Sequence, residues 1–230
     1  MKRILITGAS RGIGRAIAEK LATPETKLLL QGRDLAALEE SRRSVEKRGG
    51  CAEIITCDLS NAESVREMAE QIAPEPLDGL VNNAGIAVVK PFDGVTLDEW
   101  QRSLAINVTA PFILTQRLAP LMPAGSSIVN ILSIAAKTGF PGWSSYCMSK
   151  FALEGFSQSL REELRPRGIR VINIYPGATD TEIWSGLEGN WPRDKMMSAK
   201  EVAEAVSYAL LRPGEVATEN ITLSSTSGAI

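Results

Sequence analysis

The sequence predicts a doubly wound α/β fold, a seven-stranded parallel sheet with helices on both faces, and three observations carry that prediction. Short β-branched or leucine-rich runs alternate with longer amphipathic stretches, the pattern of a sheet buried on both sides. The glycine-rich stretch "TGASRGIG" at 7–14 joins the apolar run Ile4, Leu5, Ile6 to a helical pattern. Residues with loop chemistry recur at the carboxyl ends of the expected strands, where ligands collect in such sheets. At 230 residues and 44% hydrophobic content, one domain over 1–230 has ample material for a core, and no linker interrupts it.

The elements follow in order. Apolar runs predict strands at 2–7, 27–31, 52–56, 78–82, 127–132, 170–175 and 219–223. Amphipathic spacing predicts helices at 13–22, 35–48, 62–73, 97–121, 144–165 and 199–211. Asp34 is placed to cap the second helix, and Pro111 predicts an interruption in the fourth. The turn-rich segment 179–198 is too long for an ordinary connection and reads as a lid.

Composition narrows the function. A net charge of −2 without a basic block argues against nucleic acid or an anionic membrane surface as partner and leaves small molecules. The chain enters a strand at once and has no apolar run near the roughly 20 residues of a membrane span, so a cytoplasmic protein is expected. Cys51, Cys57 and Cys147 make an odd count with no C-x-x-C pair, which speaks against disulfides or a zinc site. No histidine is present, which removes Ser-His-Asp chemistry and most transition-metal sites; no metal is expected.

The glycines Gly8, Gly12 and Gly14 sit where a helix N-terminus offers unpaired N–H groups to a phosphate, although a tight βα connection without a ligand would use the same residues. Gly32 with Arg33, Asp58, the stretch Asn82 to Gly85, Ser133, and Pro176 with Gly177 follow successive strands; each taken alone is ordinary turn chemistry. In "YCMSK", Tyr146 and Lys150 lie at i and i+4 on one helix face. An adjacent ammonium would lower the phenol's pKa toward neutrality and make Tyr146 a general acid-base, while an ordinary tyrosine and a solvated lysine would show the same spacing.

Taken in this order, T-G-x-x-x-G-x-G, N-N-A-G, Ser133, Y-x-x-x-K and P-G, the chain to about residue 211 resembles the short-chain dehydrogenase/reductase family. The resemblance implies a Rossmann-type dinucleotide-binding domain and oxidoreduction of a carbonyl or secondary alcohol substrate. Asn107, in "LAINVTAP", matches the asparagine of the family's catalytic tetrad. By that likeness Tyr146 exchanges the substrate proton, Ser133 hydrogen-bonds the substrate oxygen, Lys150 holds the nicotinamide ribose, and Asn107 positions a water. Cofactor-binding residues are then Gly8, Ser10, Arg11, Gly12, Ile13 and Gly14 in the turn, with Arg33, Asp58, Leu59, Asn83, Ala84 and Gly85 after the next strands. Tyr146, Lys150, Pro176, Gly177, Thr179 and Thr181 complete that set. An NAD-preferring relative carries an acidic residue where this chain has Gly32; Arg33 and Arg11 instead favour NADPH, with Asp34, which could bind ribose instead, read as the cap of the second helix.

Val88, Val89, Phe92, Phe140, Trp143, Trp184, Leu187 and Trp191 lie in loops expected around the nicotinamide, where they either line an apolar pocket or pack onto the core. Ser133, Val88, Phe140, Tyr146 and Trp184 are the expected substrate contacts. The family likeness implies a homodimer or homotetramer; the tail "ENITLSSTSGAI" departs from the V-D-G-G-like ending of many relatives, which makes the family's usual tetramer less secure and a dimer credible. The 3-oxoacyl carrier-protein reductases share these motifs, as do many ketone reductases, so that substrate is not carried over. Two function classes follow: an NADPH-dependent carbonyl reductase, or an NADP-binding regulatory or redox-sensing module without useful catalysis.

Overall fold

The computed structural model describes residues 1–212 and 216–226; the remaining positions of the 1–230 span, including the end of the tail, lie outside the described residues. The chain runs β1 (Lys2–Ile6), α1 (Gly12–Leu21), β2 (Thr26–Gly32), α2 (Leu35–Glu46), β3 (Cys51–Thr56), α3 (Ala62–Ile72) and β4 (Gly79–Asn82). It continues through α4 (Leu97–Leu104), α5 (Ala110–Leu118), β5 (Ser127–Ile131), α6 (Ser144–Leu164), β6 (Arg170–Pro176), β7 (Thr179–Asp180), β8 (Met197–Ser198), α7 (Ala199–Leu211) and β9 (Asn220–Leu223). Seven strands form one sheet in the order β3-β2-β1-β4-β5-β6-β9, every pair parallel. This is the Rossmann-type doubly wound fold, with its switch point between β1 and β4.

Alternation along each strand divides the core. Leu5 and Leu29 face α3, α5 and α6 through Val65, Met68, Leu114 and Leu160. Ile4, Ile6, Leu28 and Leu30 face α1, α2 and α7 through Ile17, Leu38, Val202 and Val206. Central strands buried on both faces need a continuous apolar run rather than alternation, which is why the leucine and isoleucine runs are strands. Among the described residues no helix is long and apolar enough to cross a membrane.

Two local differences from the sequence reading matter for the site. The break expected near Pro111 falls earlier, as a π-helical segment at Ala105–Thr109 centred on Asn107. Proline has no N–H for the carbonyl four residues back, which is that of Asn107, so the ladder reorganises in the preceding turn. The segment 179–198 is also tied at its base, because β7 pairs with β8 through Thr179 with Met197 and Asp180 with Ser198.

Candidate active site

Two adjoining cavities open along the carboxyl ends of the strands. The larger, about 650 Å³, runs over the glycine turn, past Arg33 at the end of β2 and Asp58 and Leu59 beyond β3, to Ala84 and Gly85 after β4. At its floor α1 begins without a side-chain cap and with no acidic residue in its first turn, so its free N–H groups have no intramolecular anion on α1 itself. Gly12, at φ +54°, adopts the left-handed region there. Gly14 lines neither cavity: a Cβ on it would lie 2.1 Å from the Gly8 carbonyl oxygen, so glycine is required for strand–helix packing rather than for ligand approach.

The turn is braced by Arg15, Gln31 and Ser41, which the sequence reading did not single out, and by Asn83, which it did. Arg15 donates from Nη2 to the Ser10 carbonyl at 2.6 Å and to the Ala37 carbonyl at 3.1 Å. Ser41 Oγ donates to the Ala9 carbonyl at 2.8 Å, and Gln31 accepts from Gly8 N and donates to the Cys57 carbonyl. Asn83 Nδ2 donates to the Thr7 carbonyl at 2.9 Å, which joins the N-N-A-G stretch to the turn. A long polar side chain folding back on its neighbours has no periodic signature, so these braces could not be read from spacing.

The smaller cavity, about 170 Å³, adjoins the first and holds Ser133, Tyr146 and Lys150 beside Pro176, Gly177, Thr179 and Thr181. Tyr146 and Lys150 share one face of α6 as the spacing required, and Ser133 lines the same cavity, close enough to pull the Tyr146 phenol's pKa down. The expected pKa direction is reversed, however. Burial pushes the Tyr146 phenol up to about 12, outweighing the Ser133 hydroxyl, which lowers it. Lys150 Nζ stands 5.6 Å from the tyrosine ring centroid and donates to the Ile131 carbonyl at 2.8 Å, and burial brings its ammonium down to about 8.

That lowered value makes a stability prediction. Between about pH 8 and the ordinary lysine value of 10.5 the unfolded chain holds this proton and the folded protein does not, so stability should rise with pH across the window. Lys150→Met should abolish a rise on the order of 3 kcal/mol in the nucleotide-free protein. Urea unfolding of both proteins on either side of the window measures it, and parallel pH profiles would refute it.

Asn107 lines neither cavity. Its amide is fully engaged: Nδ2 donates to the Ile86 carbonyl and to Ser149 Oγ, both at 2.9 Å, and Oδ1 accepts from Ile86 N. Its backbone carbonyl lacks the donor that a helix would ordinarily supply, since residue 111 is proline, and this is the atom best placed to position a water. Cys147 points elsewhere, with Sγ toward the Thr138 carbonyl at 3.9 Å.

Three indoles close the smaller cavity. The Trp143 ring lies 5.5 Å from that of Tyr146, 5.7 Å from Trp184 and 5.9 Å from Trp191, and the last two are 4.9 Å apart. Phe140 and Leu187 line it as well, and no carboxylate does. Val88 and Val89 line neither cavity and Phe92 is exposed; the loop after β4 reaches the cavities through Ile86 and Ala87 instead of the residues expected.

A doubly wound sheet with these two cavities at its switch-point edge has the Rossmann-type architecture of many oxidoreductases. A family model described as short chain dehydrogenase matches residues 2–190, and the chain belongs to that family of oxidoreductases. It is 35% identical to the sepiapterin reductase of Chlorobaculum tepidum, over 100% of this chain and 99% of the relative. It is also 35% identical to the 3-oxoacyl-[acyl-carrier-protein] reductase FabG of Aquifex aeolicus, over 89% of this chain and 88% of that one. The crystal structure of a metagenomic short-chain oxidoreductase in complex with NADP superimposes with a TM-score of 0.84 at 29% identity, covering 98% of this chain and 97% of that one.

Proposed function

We propose that this protein is an NADPH-dependent reductase of apolar, above all aromatic, ketones or aldehydes, able to run in reverse as an alcohol dehydrogenase. The observation that carries the reading is the Ser133–Tyr146 pair in a tryptophan-walled cavity continuous with the glycine-turn cavity. The larger cavity fits a dinucleotide: uncapped N–H groups at the start of α1 suit a pyrophosphate, and Arg11 and Arg33 line the same cavity. NADPH, when bound, supplies the hydride that reaches the carbonyl carbon.

The residues do the rest. Ser133 donates a hydrogen bond to the substrate oxygen and steadies the charge that develops on it. Tyr146, which retains its proton at neutral pH, passes it to that oxygen as the alcohol forms. Lys150 holds the nicotinamide ribose and, through a water on the Asn107 carbonyl, returns a proton from solvent to Tyr146. Residues 179–198, carrying Trp184 and Trp191, act as the lid that keeps water out. The half-exposed Phe112 on α5 and Phe151 on α6 favour assembly as a homodimer or homotetramer; we place the protein in the cytoplasm.

A panel assay tests the reading. With NADPH, aryl ketones and aldehydes should give kcat/KM roughly tenfold or more above small charged keto acids, because the cavity offers indole faces and no site for a second charge. Comparable turnover of the two classes would refute the apolar assignment. NADPH binding without turnover of any carbonyl would replace the reductase with a regulatory module.

A further inference from the structure

The wall opposite the start of α1 belongs to the lid, and it presents an anion. A Cβ on Gly12 would lie 3.3 Å from Glu182 Oε2 and 3.3 Å from Thr181 Cβ, so this carboxylate stands over the glycine turn. Glu182 is exposed within the larger cavity, and among the described residues its carboxylate has neither a hydrogen-bond donor nor a cationic partner. The first turn of α1 carries no acidic residue and no side-chain cap, and Glu182 brings a carboxylate from the lid over this helix end without accepting a hydrogen bond from it. It also opens the turn Glu182–Gly186 that bears Trp184, whose Nε1 donates to the Thr179 carbonyl at 2.8 Å.

We propose that Glu182 occupies the pyrophosphate seat of the nucleotide-free protein and sets the affinity for the dinucleotide, which must displace it and with it the Trp184 turn of the lid. The inference rests on the dinucleotide reading of the same cavity. Two anions compete for one helix end, so the carboxylate weakens binding of any ligand carrying a pyrophosphate, whether or not it carries a 2′-phosphate. Moving Glu182 also moves the indole that closes the substrate cavity, which links nucleotide binding to access at Tyr146.

The test is Glu182→Gln, which keeps the size of the side chain and removes its charge. Dissociation constants of the nucleotide-free protein for NADPH and NADH, measured by titration calorimetry, should both fall about tenfold in low salt. The difference from the unsubstituted protein should shrink at high ionic strength as the repulsion is screened. Indole emission should change on nucleotide binding in both proteins, since the lid moves in both. Unchanged or raised constants would overturn the proposal, as would a gain confined to NADPH, which would place Glu182 at the 2′-phosphate. An unsubstituted protein that binds neither nucleotide would overturn the function proposed above as well; binding with no gain in the variant would overturn only the role of Glu182.

Discussion

Tyr146→Phe is expected to lower carbonyl reduction by roughly 10² to 10⁴-fold while NADPH binds as before. Phenylalanine keeps the ring and its 5.5 Å edge contact with Trp143, so the aromatic wall survives and only the O–H is lost. The lost group is the neighbour of Ser133 and the one phenol in the cavity. Because burial holds Tyr146 up to about 12, the proton is in place at neutral pH, and reduction needs no deprotonated fraction of the enzyme. Steady-state kinetics with an aryl ketone, beside a fluorescence titration with NADPH, separate the two effects. Turnover within a few fold of the unsubstituted protein would remove Tyr146 from the role of proton donor.

What was legible in the sequence was what depends on short spacing. Tyr146 and Lys150 meet because four residues make about one helical turn, and Asp34 caps α2 by accepting from Ala37 N, as its position before an amphipathic run implied. The places of the seven sheet strands along the chain followed from the apolar runs, whereas their order in the sheet is given by the fold. The direction of the tyrosine's pKa was not legible, because burial of the phenol depends on how protein from separate stretches of the chain closes around it, and a local rule about a neighbouring ammonium has no access to that. Asn107 was found by its motif, but which of its atoms remain free was decided by Ile86, Ser149 and the π-helical segment. Val88 failed for a related reason: loop composition tells that a residue is apolar, and only the path of the loop tells which way it is carried.

Arg33→Ala is expected to weaken NADPH binding by roughly 10 to 150-fold and to leave NADH nearly unchanged, the range that follows from losing a charge-assisted contact worth about 1.5 to 3 kcal/mol. Arg33 and Arg11 are exposed in the larger cavity, and among the described residues neither has a carboxylate within ion-pairing distance, whereas Arg15 between them in the chain is committed to Glu40 and Ser10. The groups that would favour NADH are occupied or excluded. A Cβ at Gly32 would already lie 3.2 Å from Leu38 Cδ2, so an acidic side chain there must push the leucine aside. Asp34 holds the α2 cap through Oδ1, and Asp58 is held below the ordinary carboxylate range first by the Ser60 N–H, with Arg33 adding a smaller pull. Arg33 therefore faces one anion in the protein, partly satisfied already, and has a free fork for a second. Titrating both nucleotides against both proteins decides the matter: an equal loss for NADPH and NADH, or tighter NADH binding by the unsubstituted protein, would overturn the preference for NADPH and leave the fold and the Ser133–Tyr146 pair untouched.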